Sequence, residues 1–218
     1  MQPITALKGA HTGQDIYIIA AGTSMDYLPC SFFDGKIVIN VNATYKYYPG
    51  RYIVRKVRSG MAESMKWTEA NGGKVIASWL NCGATSCGTN DPAECHYMFY
   101  HVDNRLEDID LSVVGSDLIV VSYSTITSAI HLAAYMGAKN IIIAGHDCGV
   151  LDGRRVMAGY EGELVGGLSD DWYKEWLGKI EPQTLALNAK LREVYGCNIL
   201  SLNPFVNFGL EGHIYARR

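Results

Sequence analysis

Gly145-His-Asp-Cys-Gly149 sets an imidazole, a carboxylate and a thiol side by side, directly after an apolar run. His146 and Asp147 are of the types that move protons in catalysis. Asp147 would also suit binding ribose hydroxyls or orienting His146. A carboxylate capping nearby loop amides is the structural alternative. A second cluster, Ala20-Ala-Gly-Thr-Ser-Met25, also follows an apolar run. Gly22 would let backbone come close to a ligand. Thr23 and Ser24 offer hydroxyls and caps for a following helix, whose free N–H groups would attract a phosphate. The pattern is neither G-x-G-x-x-G nor a P-loop, so neither standard nucleotide signature applies. Ser122-Tyr-Ser-Thr-Ile-Thr127 is a hydroxyl-dense helix start, with Ser124 or Thr125 as its cap. Asn42, two residues after Asn40, is an amide at the end of an apolar run, fit to read a base or ribose or to cap a turn.

Two irregular stretches carry further chemistry. Residues 81–104 are rich in Cys, His, Gly and Asn. Cys82, Cys87, Cys95 and either His96 or His101 have the ligand types of a tetrahedral zinc site. The spacing is looser than a C-x2-C knuckle, so free thiols and no metal are the expectation, with zinc the alternative. Residues 149–171 hold six glycines, Arg154 and Arg155. This stretch reads as a lid in which Tyr160 and Trp172 cover a base or sugar and the arginines pair with phosphate. A surface loop is the structural alternative.

These residues need a frame to bring them together. Apolar, β-branched runs at Asp15–Ala21, Lys36–Asn42, Tyr52–Val57, Lys74–Leu80, Asp117–Tyr123, Asn140–Ala144 and Asn198–Leu202 read as strands. They are continuous rather than alternating, which marks strands covered on both faces. Thr125 to Met136 carries one apolar stripe at helical spacing and Gly137 ends it. Glu181-Pro182 to Tyr195 reads as a helix with Pro near its start, its apolar positions being Leu185, Leu187, Leu191 and Val194. Strand–helix–strand units predict one α/β domain over residues 1–218, a doubly wound, mostly parallel Rossmann-like sheet with helices on both faces. In such sheets ligands sit beyond the carboxyl ends of the strands, where the motifs above fall.

Composition narrows the partners. The chain has 218 residues, 48% hydrophobic, with a net charge of −3 and an excess of acidic over basic residues, 22 against 19. That supplies a full core and lacks the basic excess of a duplex-binding domain, so no nucleic acid partner is expected. No apolar stretch reaches membrane-spanning length. Residues 1–14 lack the basic start and apolar run of a signal peptide, so the expected address is cytoplasmic. Nothing in the sequence excludes a homo-oligomer.

The strand-end motifs resemble a family. Ile18-Ile-Ala-Ala-Gly-Thr-Ser-Met25 is similar to the G-x-G-P-S-L opening of bacterial lipooligosaccharide sialyltransferases and their uncharacterised relatives. The segment from Thr127 to Asp147 resembles the same group's second signature, a hydroxyl-led helix running into a strand that closes with G-x-D. Asn198-Ile-Leu-Ser-Leu-Asn-Pro204 is similar to its final strand and tail. A related branch contains hydroxymethylpterin diphosphokinases. The resemblance implies a metal-independent glycosyltransferase-like protein using a sugar nucleotide, a cytidine nucleotide being favoured, with a glycan or small-molecule acceptor. Alternatives are a non-catalytic nucleotide- or sugar-phosphate-binding protein and a diphosphokinase-type phosphotransferase. By matching positions, Ala21, Gly22, Thr23, Ser24, Asn42, Ser124 and Thr125 would contact the nucleotide, with Arg154, Arg155 and Tyr160 closing over it. The family's catalytic His has no counterpart between His146 and His213. His146, Asp147 or Asp171 would then supply the acid/base function.

Overall fold

The computed structural model describes residues 1–79, 89, 91–100, 109–122, 124–151, 153–163 and 170–203, apart from the side chains of 170–174, 176 and 177. Eight strands form one sheet: β1 (Gln2–Pro3), β2 (Asp15–Ile19), β3 (Ile37–Val41), β4 (Tyr52–Arg55), β5 (Lys74–Ser78), β6 (Tyr97–Phe99), β7 (Asn140–Ala144) and β8 (Asn198–Ser201). Their order is β1-β6-β5-β4-β3-β2-β7-β8 and every pairing is parallel. From β2 the chain steps outward through β3, β4, β5 and β6. It then returns to the other side of β2 with β7 and β8. The strand order therefore reverses between β2 and β7, and their carboxyl ends flank a crevice of the kind where open α/β sheets take ligands.

Burial alternates along the strands as the pleat demands. Ile16 and Ile18 of β2 face a core shared with α2 (Thr125–Tyr135) and α3 (Asp170–Tyr195). Ile19 faces the opposite core, which holds Met61 of α1 (Met61–Asn71). The doubly wound frame and its two helical layers are thus as the β-branched runs predict. The sheet is wholly rather than mostly parallel. On the α1 side much of the cover comes from 3-10 turns, Thr23–Tyr27, Cys30–Phe33 and Thr44–Lys46. The turn after β2 is therefore not the α-helix expected there.

Three other differences have physical causes. Asp117–Tyr123 is not a strand over its described residues, although Ile119 and Val120 are fully buried. Side chains occupy much of its backbone instead. His131 Nδ1 accepts from Val120 N at 3.0 Å, Ser128 Oγ donates to Val120 O at 2.8 Å, and Lys56 Nζ donates to Ser122 O. Ile119 N donates to Tyr100 O of the chain beside it, at 3.0 Å. An apolar run reports burial, and both a ladder and this arrangement bury it. Secondly, β1 and β6 are two and three residues long, too short for a periodic signal. Thirdly, α3 begins at Asp170, so Pro182 lies inside it. Its buried stripe is Ile180, Gln183, Thr184, Leu187, Asn188 and Leu191, while Leu185 and Val194 are exposed. Half of that stripe is polar, which hides it from hydrophobic periodicity. Gly137 follows the end of α2 at a φ of 86°, as the sequence requires.

Among the described residues, no helix is long and apolar enough to cross a membrane. Ser128→Ala should lower unfolding stability by about 1–3 kcal/mol, because it strips a buried carbonyl of a donor. Urea unfolding checks this, with an unchanged m-value showing that the fold is kept.

Candidate functional site

The β2–β7 crevice is built by two loops in backbone contact. Ala20 N donates to Ala144 O at 2.9 Å and Gly22 N to Gly145 O at 2.7 Å, so the pairing of β2 and β7 runs on past the strand ends. Both loops need glycine there. A Cβ on Gly22 would lie 2.5 Å from Asp147 Cγ and from Gly145 O. Gly145 sits at a φ of 71°, with Ala20 O 2.4 Å from where a Cβ would be.

Asp147 closes the crevice floor. Its Oδ2 accepts from Ser24 N at 2.8 Å, and its Oδ1 accepts from Ser24 Oγ at 2.5 Å and from Asn203 Nδ2 at 2.6 Å. The carboxyl is 8% exposed, and burial pushes its pKa up against the pull of the Ser24 and Asn203 donors. Three donors from two other chain segments make Asp147 a tie between the carboxyl ends of β2, β7 and β8. Asn203 was not foreseen. Its sequence signal is its place in the Asn198–Pro204 tail, just past the last strand.

His146 is also buried, and its Nε2 lies 3.0 Å from Thr184 Oγ1 of α3. Burial lowers its pKa to about 4, so it is neutral at physiological pH. Cys148, at a φ of 48°, stands against the ring. Its Sγ is 3.7 Å from Nε2 and 3.8 Å from Nδ1. The thiol is within weak hydrogen-bonding distance of both nitrogens. Burial pushes the thiol pKa up to about 12, which opposes a resting thiolate.

These groups line a cleft of about 150 Å³ together with Ala21, Ser124, Arg155, Val156 and Ile180. Sites enclosing a whole drug-sized ligand run to about 300–1,000 Å³. The cleft therefore has room for part of such a ligand. Ser124 caps α2, its Oγ accepting from Ile126 N at 3.4 Å, which brings that helix start to the cleft; Thr125 behind it is buried. Asn42, one strand further along, adopts a left-handed φ of 57° after β3.

Other predicted residues are engaged elsewhere. The Thr23 hydroxyl donates to the carbonyls of Arg154 and Val156, at 2.9 and 3.2 Å. Arg154 forms an ion pair with Asp26 at 2.7 Å, while Arg155 next to it lines the cleft. Tyr160 is buried and its hydroxyl accepts from Ala43 N at 3.4 Å. Met157 N donates to Ala21 O, Ala158 N to Asp26, and Tyr47 to Gly159 O, so the stretch from Arg154 to Tyr160 is strapped over the β2 and β3 loops. Asp171 falls in the first turn of α3, and its side chain lies outside the described residues. So do Cys82, Cys87 and His101. Cys95 is in the core, with burial raising its pKa to about 11, and His96 Nδ1 accepts from Val75 N at 3.1 Å.

No family model matches the chain, and no curated protein matches it. Among solved structures it is similar to the sialyltransferase CstII from Campylobacter jejuni, in complex with the substrate analogue cytidine-5'-monophosphate. The two are 12% identical, with a TM-score of 0.44 over 92% of this chain and 85% of that one.

His131 shares the state of His146, burial lowering its pKa to about 4. The unfolded chain takes up protons on both near pH 6.5, before the folded protein does. Their stabilising neutrality is complete above that pH and is lost as pH falls towards 4. Each costs about 1.4 kcal/mol per pH unit within this window. Asp147, pushed the other way, offsets part of the slope. Subtracting the unfolding free energies of His146→Gln from those of the parent isolates one proton. The difference should shrink by roughly one such step per unit from pH 6 to 4.5, and a flat difference contradicts the burial of a neutral ring.

Proposed function

We propose that this protein is a glycosyltransferase-like enzyme that takes a sugar nucleotide, with a cytidine monophosphate sugar favoured. The observation that supports this is the meeting of the three resembling motifs. Ser24 belongs to the first, Asp147 ends the second and Asn203 lies in the third, and the Asp147 carboxylate bonds to both of the others. They converge at the β2–β7 reversal, where a nucleotide belongs in a doubly wound sheet.

The roles follow from the geometry. Arg155 and the capped start of α2 at Ser124 present positive charge and dipole to a phosphate in the cleft. In this reading Ala21 and Gly22 let it lie against backbone, and Asn42 contacts the nucleoside. The acceptor oxygen bonds to the anomeric carbon as the bond from that carbon to the phosphate oxygen breaks. The nucleotide monophosphate leaves with the electron pair, and the acceptor's proton passes to a base. His146 is better placed for this than Asp147, whose oxygens already accept three protein donors. Asp147 holds the loops in register.

Cytidine monophosphate should raise the melting temperature, and more than uridine or adenosine monophosphate does. Arg155→Ala should weaken that binding about tenfold or more, through the loss of a charge-assisted bond. Gly22→Ala should abolish it, because the Asp147 carboxylate must move. Absence of any cytidine monophosphate shift in the parent protein overturns the reading.

A further inference from the structure

One short turn holds two walls of the cleft. In the turn Thr23–Tyr27, Ser24 carries the Asp147 carboxylate and with it the β7 loop. Thr23 and Asp26 of the same turn reach the other wall. The Thr23 hydroxyl is shared between Arg154 O at 2.9 Å and Val156 O at 3.2 Å. Asp26 takes both ends of the same short segment. Its Oδ2 pairs with Arg154 Nη1 at 2.7 Å, and Ala158 N donates to its Oδ1 at 3.0 Å and its Oδ2 at 3.3 Å. Arg155 and Val156, which line the cleft, lie between these two anchor points. Residues 155–158 belong to no helix or strand, so no ladder fixes them. Backbone groups in such a segment need other partners. The loop after β2 supplies them through Thr23, Asp26 and Ala21, whose carbonyl accepts from Met157 N at 2.8 Å.

We infer that Asp26 is a positioning residue that clamps residues 154–158, so that the wall formed by Arg155 and Val156 keeps its place in the cleft. That this wall serves a nucleotide rests on the glycosyltransferase reading; the clamp stands on the contacts alone. Arg154 then acts through Asp26 on the wall rather than on the ligand. The Asp26 and Arg154 side chains keep 24 and 41% of their surface exposed. Water replaces the lost partner when either is removed, and an exposed ion pair adds little to overall stability, so these variants should fold. What they lose is local, because a segment without a ladder depends on the few bonds that hold it.

Amide hydrogen exchange of the full chain and titration with cytidine monophosphate test the clamp together. Asp26→Ala should speed exchange at Met157 and Ala158 at least about tenfold while the urea midpoint stays close to the parent's. The same variant should bind cytidine monophosphate at least about tenfold more weakly. Arg154→Ala should weaken binding in the parent but not further in Asp26→Ala, because the two residues act as one unit. Arg154→Lys, which keeps the charge, should bind nearly as tightly as the parent. Unchanged binding in Asp26→Ala overturns the inference, and so does unchanged exchange. Additive losses in the double variant also overturn it, since they set Arg154 on the ligand. If Asp26→Ala does not fold, Asp26→Asn and its combination with Arg154→Ala make the same comparison. A parent protein that does not bind cytidine monophosphate refutes the proposed function, and the exchange rates then decide the clamp alone.

Discussion

A buried carboxylate cannot be left without donors. The loops beyond the strand ends are arranged around that fact. Asp147 loses most of its water on folding, and unpaired it would cost several kcal/mol. Ser24 supplies a backbone and a side-chain donor, and Asn203 supplies an amide. To deliver them, the β2 loop must lie directly on the β7 loop. That contact is possible only because Gly22 and Gly145 carry no Cβ. The crevice between β2 and β7 is a consequence of this constraint as much as of strand order.

The same economy recurs around the site. In the 117–122 run, the side chains of His131 and Ser128 on α2 take the N–H and the carbonyl of Val120. Where α3 crosses the cleft wall, its inner face carries Thr184 rather than another aliphatic residue, and the hydroxyl meets His146. Neutral histidines suit these places. At 0 and 8% exposure, His131 and His146 could hold a charge only at the expense of stability. His131 instead uses its Nδ1 as a fixed acceptor for Val120 N.

Much of the site was legible in local sequence. Gly22, Ser24, Ser124, His146, Asp147 and Arg155 were identifiable because each stands just beyond an apolar run, at a helix start or in a glycine-rich stretch. Asn203 and Thr184 were not. Asn203 stands in the resembling tail past a short strand, where nothing singles out its amide, and Thr184 is a lone threonine in a long helix, where a polar residue reads as surface. Arg154 and Arg155 look equivalent in the chain, yet the fold gives one to Asp26 and the other to the cleft. Adjacent side chains point in different directions, and sequence does not say which of them lines the cleft.

By itself the sequence determined the class of fold, six of the eight strands, the α2 helix with its cap and its terminating glycine, and the edge of the sheet where polar residues gather. These follow from periodicity and turn chemistry, which act over a few residues. Tertiary structure alone decided that β2 and β7 are neighbours, that Asp147 bonds to Ser24 and Asn203, and that side chains take up the Val120 backbone within the apolar run of residues 117–122. Those outcomes depend on partners that are distant in the chain. Desolvation chooses among such partners only when the whole core closes.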